Sequence, residues 1–509
     1  MNDNVHISLR DWLDTRFRIT ARASTIGNEI SSGTAVAMAM IYIIPVSSGM
    51  YMLAGENSVL AAISIAFVTA VISILMGIWA NVPIALSTGM GINAFAVFTI
   101  CLSMGYSYTM VMYCTLAEGI IFLLLSLTKL RSALARAIPQ NMKLLIGVGI
   151  GGFLLYIGSQ NAKLIVGDAS TLTTMVAFRQ NFSTQGVTAL LAIITILIML
   201  ALQIKGVKAN ILIGMGLGWV LGVLMQVIGV YVPDIEAGYY SFYPSSVSLP
   251  EVSGAEGMFL TLTSVSGFTW GDWVNVIVIT ATMFYSDFFD TIGTAITCIS
   301  SVANKMREDL NTLKEQVEDS QKIKRLEMEL EGIESEKTMR IVLLVDAIGT
   351  ILGALFRITT VTSFVESLAG NGRTGLSAIV TGLWFVGAIF LSSVFTTVPG
   401  YATGAALIVV GVNMAVDGVK RIDFSKEKLH QTIPGIFCVG YMVLTYNIAN
   451  GMAWGIILYA GLSLFVPKMA KVANAHGGTS TKTITGEIEK AGALIYVLAV
   501  ALVLKFVFL

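Results

Sequence analysis

The stretch FRITTVTSFVESLAGNGRTG, residues 356–375, is apolar enough for a membrane span but does not read as a simple helix. A β-branched run at residues 359–362 is followed by the acid Glu366 and by three glycines. A second stretch, VPIALSTGMGINAFAVF at residues 82–98, combines a proline and two glycines with polar side chains. Both patterns predict a span that is interrupted by extended backbone.

The two broken stretches occupy matching places along the chain. They are the third and the tenth of fourteen apolar segments, so each is the third segment of its half. Paired, glycine-interrupted segments at matching positions are typical of transporters whose site is built from broken helices. Two short strands would pair there and direct two half-helix N-termini at a ligand. The apolar segments run at residues 29–53, 59–80, 83–103, 109–128, 142–160, 186–204, 208–232, 273–299, 340–357, 360–372, 377–395, 398–416, 431–448 and 450–466.

The composition predicts a polytopic membrane protein. The chain has 509 residues, of which 55% are hydrophobic and 12% are charged, and its mean hydropathy is +0.79. A soluble protein of this length would not bury so much apolar surface. The net charge of zero indicates no nucleic-acid partner. The four cysteines show no metal-ligand spacing, and no metal or cofactor is expected.

The distribution of charge predicts the orientation of the chain in the membrane. Residues 233–273 contain no Lys or Arg, carry acids and aromatic residues, and are expected to lie outside the cell. The connections on the other side are basic, which predicts a cytoplasmic N-terminus and fourteen crossings. Whether the apolar run at 491–509 crosses again is left open. The basic residues are Arg16, Arg18, Arg22, Lys129, Arg131, Arg136, Lys143, Lys205, Lys208, Lys420, Arg421, Lys426, Lys428, Lys468 and Lys471.

Residues 301–339 form a connection that is dense in charges of both signs. Apolar residues recur there at helical spacing, which predicts a pair of short amphipathic helices on the cytoplasmic side. Two interpretations remain open at this point. The segment is either a solvated insertion or a docking surface for a partner or a second protomer.

Five acids lie within the predicted spans: Glu118, Asp287, Asp290, Asp346 and Glu366. A charged side chain costs roughly 2.5–3.5 kcal/mol at the centre of a membrane helix, so each acid needs a partner, a proton or a function. Asp287 and Glu366 lie beside predicted helix breaks and are the candidates for proton coupling. Glu118, Asp290 and Asp346 are interpreted as structural acids that accept hydrogen bonds.

Several ordered motifs resemble one family. Among them are STGMGINAF, SDFFDTIGT, DAIGTILGAL, TTVTSFVES, GNGRTGLSAIVTGL and VPGYATGAALIVVG. They resemble the AzgA-like purine (guanine/hypoxanthine/adenine) permease branch of the nucleobase–cation symporter-2, or xanthine/uracil permease, family over about residues 22–466. One departure is IIPVSSGM in the first segment, where the family usually has an Asn-Pro pair.

The resemblance implies an all-α polytopic fold of fourteen transmembrane segments, arranged as a 7+7 inverted repeat with core and gate domains and with two short midplane β-strands in segments 3 and 10. Segments 1–4 and 8–11 would form the core, and segments 5–7 and 12–14 the gate. The implied divisions are 1–21 (cytoplasmic N-terminus), 22–128 (core), 129–232 (gate), 233–272 (extracellular loop), 273–299 (core), 300–339 (charged insertion), 340–397 (core), 398–467 (gate) and 468–509 (linker and extra apolar segment).

The resemblance also implies the residues of a substrate site. Asp287 matches the family's acid on segment 8, and Glu366 matches its acid on segment 10. By position, the implied substrate-binding residues are Gly91, Asn93, Asp287, Phe364, Val365 and Glu366. Carboxylates would accept hydrogen bonds from purine N–H groups, backbone N–H groups would donate, and an aromatic ring would cover the flat face of the base.

The implied function is import of guanine, hypoxanthine or adenine across the cell membrane by proton symport, with an elevator-like or rocking motion. The partners would be a purine nucleobase, a proton and the lipid bilayer, with a homodimer left open. Alternatives within the fold are a uracil or xanthine carrier and an anion carrier, and the latter would favour a basic group in place of Glu366. An intramembrane aspartyl protease is disfavoured because the Gly-x-Gly-Asp element is absent, so no enzyme is expected.

Overall fold

The computed structural model describes most of the chain. The described residues are 8–126, 139–168, 172–179, 181–234, 239–243, 259, 270–315, 320–425, 428–445, 448–465, 495–496, 499–500 and 503. The predicted outside loop beyond residue 243, apart from residue 259, therefore lies outside them up to residue 269. So do the basic connections at 127–138 and 466–494 and most of the apolar run at 491–509.

The described residues are mostly helical. The α-helices are α1 (Leu9–Phe17), α2 (Ile26–Met40), α3 (Ile43–Leu53), α4 (Ser58–Trp79), α5 (Met90–Ala94), α6 (Tyr108–Ser126), α7 (Gln140–Asn161), α8 (Val187–Ile204), α9 (Asn210–Val227), α10 (Trp270–Glu315), α11 (Ser320–Glu334), α12 (Glu336–Leu355), α13 (Gly375–Ile389), α14 (Ser392–Phe395), α15 (Gly400–Val419), α16 (Leu429–Leu444) and α17 (Ile448–Phe465). The strands are β1 (Leu86–Thr88), β2 (Ile165–Asp168), β3 (Leu172–Met175) and β4 (Val361–Ser363). Two 3₁₀ turns (Thr20–Arg22, Val365–Ala369) and two π-helical stretches (Phe95–Ser103, Phe182–Gly186) complete them.

Eight helices within the described residues are long and apolar enough to cross a membrane, and five shorter helices are apolar. This agrees with the predicted class, a mostly helical polytopic membrane protein. The number of crossings and the inverted repeat stay predictions. The eight helices are Ile26–Leu53, Ser58–Trp79, Tyr108–Ser126, Asn141–Asn161, Phe182–Ile204, Asn210–Val227, Glu336–Leu355 and Gly400–Val419.

The chain divides into two compact units. The first comprises Met1–Thr128 and Ile157–Val409, and the second comprises Lys129–Tyr156 and Val410–Leu509. Both broken stretches and every implied substrate residue belong to the first unit. In the second unit, Asn141 donates to the Asp423 carbonyl at 2.6 Å and to Thr432 Oγ1 at 2.8 Å, which ties the start of α7 to that of α16.

The two strands of the broken stretches form an antiparallel pair, which confirms the predicted pairing. Leu86 lies opposite Ser363, and Thr88 lies opposite Val361. Backbone hydrogen bonds extend the ladder at both ends, from Phe364 N to Ala85 O and from Gly89 N to Thr360 O, each at 3.0 Å. The pair therefore satisfies the backbone polar groups of both segments where neither is helical.

The two stretches differ in the structure on the C-terminal side of each strand. After β1 the chain continues as α5 and then as the π-helix Phe95–Ser103, whereas after β4 it makes only the 3₁₀ turn Val365–Ala369. The half-helix expected for the tenth segment is therefore a single turn. The chain after this turn packs closely against α2: a Cβ on Gly370 would clash with Ser32 Oγ, which also accepts from Gly372 N at 2.7 Å.

The first predicted span is also interrupted. It divides into α2 and α3 at Ile41 and Tyr42. Pro45 has no N–H to donate to the carbonyl of Ile41, four residues earlier, and that carbonyl accepts from Ile44 N instead, at 3.2 Å. The break directs the Tyr42 side chain toward the tenth segment, where its hydroxyl reaches Glu366.

The start of α13 packs against the end of α4 with backbone touching backbone. A Cβ on Gly375 would clash with the carbonyl oxygen of Gly77.

We therefore expect Gly375→Ala to lower stability by about 1–3 kcal/mol, because two helices must separate. Gly387→Ala is the matched control on the same helix, since nothing lies within 4 Å of its Cβ. Thermal unfolding in detergent measures both, and equal unfolding temperatures would contradict the prediction.

The described part of the charged connection is helical and packs within the first unit. The eighth apolar segment does not end near residue 299 as predicted, because α10 continues to Glu315 through residues that favour helix. In α11, Glu329 is only 7% exposed and accepts from Arg18 Nη1 at 2.7 Å and from Arg22 Nε at 3.0 Å. A solvated insertion would not bury an acid in this way, so α11 is part of the packed structure.

Removing the Glu329 carboxylate is expected to destabilise the protein. Arg22 is 6% exposed, and Glu329→Ala would leave its guanidinium buried without its ion-pair partner, at a cost of roughly 3–5 kcal/mol. The matched control is Glu334→Ala in the same helix, because its pair with Arg307 is exposed and is worth about 1 kcal/mol or less. Thermal unfolding should separate the two variants clearly, and a Glu329→Ala protein as stable as the control would refute the buried pair.

Candidate functional site

Three of the five intramembrane acids are linked by hydrogen bonds to Thr360, just before β4, or to Thr362 in β4. Side chains two residues apart on a strand point to the same side. Thr360 donates its hydroxyl to Glu118 Oε2 at 2.7 Å. Thr362 contacts Thr291 Oγ1 at 2.8 Å, and Thr291 contacts Asp287 and Asp346. The strand of the tenth segment therefore connects acids from α6, α10 and α12.

The hydroxyl of Thr291 is the junction between two acids. Its Oγ1 lies 3.0 Å from Asp287 Oδ1 and 3.0 Å from Asp346 Oδ1, and all three residues are buried. Thr291 follows Asp287 by one helical turn, so both side chains lie on the same face of α10. Phe288 stacks against Phe122 at 6.3 Å between ring centroids and packs this part of α10 against α6.

A second buried junction surrounds Asn93. Its Oδ1 accepts from the hydroxyls of Tyr51, at 2.9 Å, and Thr88, at 2.7 Å, and also from Thr359. Its Nδ2 donates to Ser47 Oγ at 2.9 Å. Asn93 therefore joins α3, β1 and the start of the tenth segment.

Glu366 lies in the 3₁₀ turn that follows β4. Its Oε1 accepts from the hydroxyl of Tyr42 at 2.6 Å, and the tyrosine is fully buried. The neighbouring Val365 is 45% exposed, so the turn presents an open surface beside the acid. A carboxylate with one oxygen held by Tyr42 retains its remaining acceptor sites for a ligand.

The structure places the other implied residues close to these junctions. Phe364 is 8% exposed, and its carbonyl accepts from Cys298 Sγ at 3.8 Å, which links α10 to the turn. The Phe364 N–H completes the strand ladder, and Gly91 is half-buried in α5. Asp290 lies within α10, but its side chain is outside the described residues.

The structure adds residues that sequence reasoning missed. Tyr42, Tyr51 and Thr291 hold the acids and the asparagine in place. Only Thr291 had a local signal, since it lies four residues after Asp287 on one helix face. The tyrosines reach partners far along the chain, and no local pattern identifies such a pair.

Solved structures with a similar fold include a protein whose title names it a bicarbonate transporter. The transmembrane domain of a cyanobacterium bicarbonate transporter, BicA, aligns with a TM-score of 0.53 and 13% identity over 84% of this chain and 97% of that one. SLC26A9 aligns with a TM-score of 0.54 and 12% identity over 87% of this chain and 66% of that one. At such low identity the likeness shows the fold alone.

Two relatives that are similar in sequence are named as permeases of nucleobases. Guanine/hypoxanthine permease PbuG of Bacillus subtilis (strain 168) is 28% identical over 98% of this chain and 100% of its own length. Adenine permease AdeP of Escherichia coli (strain K12) is 27% identical over 98% of this chain and 96% of its own length.

The family comparison covers the first broken stretch and the Asp287 helix. A model described as "Permease family" (Xan_ur_permease) matches residues 27–315, more than half of the chain. This span includes β1, α5 and all of α10. The protein is therefore a membrane transport protein that belongs to the xanthine/uracil permease family, as the resemblance of its motifs predicted.

Proposed function

We propose that this protein imports a purine nucleobase across the cell membrane by proton symport. Guanine, hypoxanthine and adenine are the expected substrates, because the relatives carry these names. The basic connections support a cytoplasmic N-terminus. The proposed motion is elevator-like or rocking, and the implied substrate residues all belong to one compact unit.

The main support for proton symport is the set of hydrogen bonds around Thr291, which needs one more proton than the hydroxyl groups supply. Its Oγ1 makes three O···O contacts of 2.8–3.0 Å, with Thr362, Asp287 and Asp346. Three hydrogen bonds need three protons, but the two hydroxyls supply only two. With one proton in each hydrogen bond, one carboxyl group is therefore protonated when all three bonds exist. A carboxyl pair that holds one proton in one state and releases it in another is suited to coupling proton and substrate movement.

The acids at the strand crossing also match the chemistry of a purine. Its ring N–H and exocyclic N–H₂ groups need acceptors, which Glu366 and Asp287 supply. Glu366 is the more open of the two, being partly exposed beside Val365, whereas Asp287 is fully buried. We infer that Glu366 contacts the base directly and that Asp287 joins the site when the unit changes state.

An anion carrier of the same fold is the alternative. It would need a free basic group at the crossing, and the two arginines nearest β4 in sequence are already engaged. Arg357 forms a two-pronged ion pair with Glu56, at 2.6 and 3.0 Å. Arg373 pairs with Asp309 and donates its backbone N–H to Glu29. These contacts favour a neutral substrate with hydrogen-bond donors.

Uptake into proteoliposomes tests the proposal. Labelled hypoxanthine, guanine and adenine are offered with an inward proton gradient, with no gradient and with a protonophore. We expect accumulation of at least one purine only with the gradient, and competition by unlabelled purines but not by bicarbonate or sulfate. Purine accumulation that is driven by sodium alone would refute proton symport. Transport of bicarbonate or sulfate without purine transport would refute the substrate.

A further inference from the structure

A pocket that includes no residue of the crossing strands is lined by cations. Its volume is about 600 Å³, within the range of small-molecule sites. Arg16, Arg18, Arg22 and Lys337 line it, against the single carboxylate of Glu329. The pocket lies between the N-terminal segment, the end of α4 and the junction of α11 with α12.

Four cations line this pocket and only one carboxylate does, although Glu29 outside the lining adds negative charge near Arg22. Glu329 is shared by two guanidiniums, those of Arg18 and Arg22. Arg16 donates to a carbonyl, that of Ile78, at 2.6 Å. Lys337 is exposed and forms no ion pair within the described part of the chain. One more anion would therefore be attracted to the pocket.

The crowding of like charges affects Arg22. Burial lowers the pKa of its guanidinium from the usual value, and the nearby charge of Arg18 lowers that pKa further, whereas the bond and charge of Glu329 oppose both effects. Arg22 is also held by the backbone, since its Nη1 donates to Asn81 O at 2.6 Å and to Arg373 O at 3.0 Å. It is thus a buried part of the pocket wall, whereas Arg18 and Lys337 are exposed.

The rim of the pocket carries the side chains of a membrane interface. Trp12 is 52% exposed and Trp79 is 49% exposed, and both line the pocket. Leu9, one turn before Trp12 on α1, is 73% exposed. Exposed indoles are typical of the headgroup level of a bilayer, and an amphipathic helix such as α1 is suited to lie there. The opening therefore faces the depth at which lipid phosphates are found.

We propose that this pocket binds a phosphate group, supplied by an anionic phospholipid headgroup. Arginine recognises phosphate through paired N–H donors, and lysine adds a point charge. A soluble phosphate compound offers the same group, but the exposed indoles at the rim favour the lipid. Binding would hold α1, α4 and the α11–α12 junction together, independently of whether the carrier transports purines.

The test compares two double variants that remove the same charge. Arg18→Gln with Lys337→Gln removes two of the three exposed cations of the pocket, whereas Lys324→Gln with Arg325→Gln removes two exposed cations of α11 that do not line it. Native mass spectrometry counts phosphatidylglycerol retained by each purified protein. Thermal unfolding in nanodiscs of phosphatidylglycerol or phosphatidylcholine measures the stabilisation by the anionic lipid.

We expect the pocket variant to bind phosphatidylglycerol about tenfold more weakly than the control variant and to lose the stabilisation. A third arm adds inorganic phosphate to protein in phosphatidylcholine. Stabilisation by inorganic phosphate that equals that of the lipid would keep the phosphate chemistry and overturn the lipid as its source. Equal retention of phosphatidylglycerol by the two variants, with both folded, would overturn the site.

Discussion

Glu366→Leu is expected to abolish purine uptake while leaving the amount of folded protein in the membrane nearly unchanged. The acid lies beside the exposed Val365 at the end of the crossing strands, where a substrate N–H would find an acceptor. Hydrogen bonds to a charged group contribute roughly 1.5–3 kcal/mol each. Loss of two such bonds corresponds to at least about a hundredfold loss of uptake.

Two further variants separate substrate contact from local structure. Glu366→Gln keeps the size of the side chain and one acceptor oxygen, so Tyr42 retains its partner, but the group no longer carries charge. Tyr42→Phe removes only the hydroxyl that holds the carboxylate. We expect Glu366→Gln to lose most uptake and Tyr42→Phe to raise the apparent KM several-fold. Near-normal uptake by Glu366→Leu, at normal expression, would remove Glu366 from the site.

Local sequence patterns were sufficient to predict the strands at the crossing. The β-branched residues 359–362 and the glycines after β1 disfavour a continuous helix, and their matching positions in the two halves predicted that they pair. The same patterns did not predict that the tenth segment keeps only one helical turn. The chain after that turn packs against Ser32 of α2, whose hydroxyl occupies the space beside Gly370.

The residues that hold the site's side chains in place do so through contacts that no local sequence pattern indicates. Pro45 signals a break in the first span, yet nothing nearby indicates that the break brings Tyr42 to Glu366, 324 residues later in the chain. The third acid of the strand face, Asp346, was assigned a structural role from sequence. Its contact with Thr291 places it on the same hydroxyl as Asp287, so the two acids are joined through one side chain.

Asp287→Asn is the variant that tests proton coupling most directly. The amide keeps the size of the side chain and remains neutral at every pH. Its Nδ2–H₂ group can donate to Thr291 Oγ1, which supplies permanently the third proton that the three contacts require. The variant should therefore resemble the protonated state and be unable to release its proton. We expect gradient-driven accumulation to be lost, whereas purine exchange across equal concentrations should persist within a few-fold.

Neighbouring acids serve as controls for this experiment. Asp290→Asn, three residues further along α10, is predicted to lower expression or thermal stability more than coupling. Asp346→Asn is expected to lower stability and keep a pH-dependent uptake, if Asp287 is the acid that titrates during transport. Uptake at several values of external pH and purine binding in detergent should be measured for all three variants. Accumulation by Asp287→Asn against a gradient, with an unchanged pH dependence, would show that the proton is carried elsewhere. Glu366 would be the first alternative, followed by Glu118, whose Oε1 has no hydrogen-bond partner within the described residues.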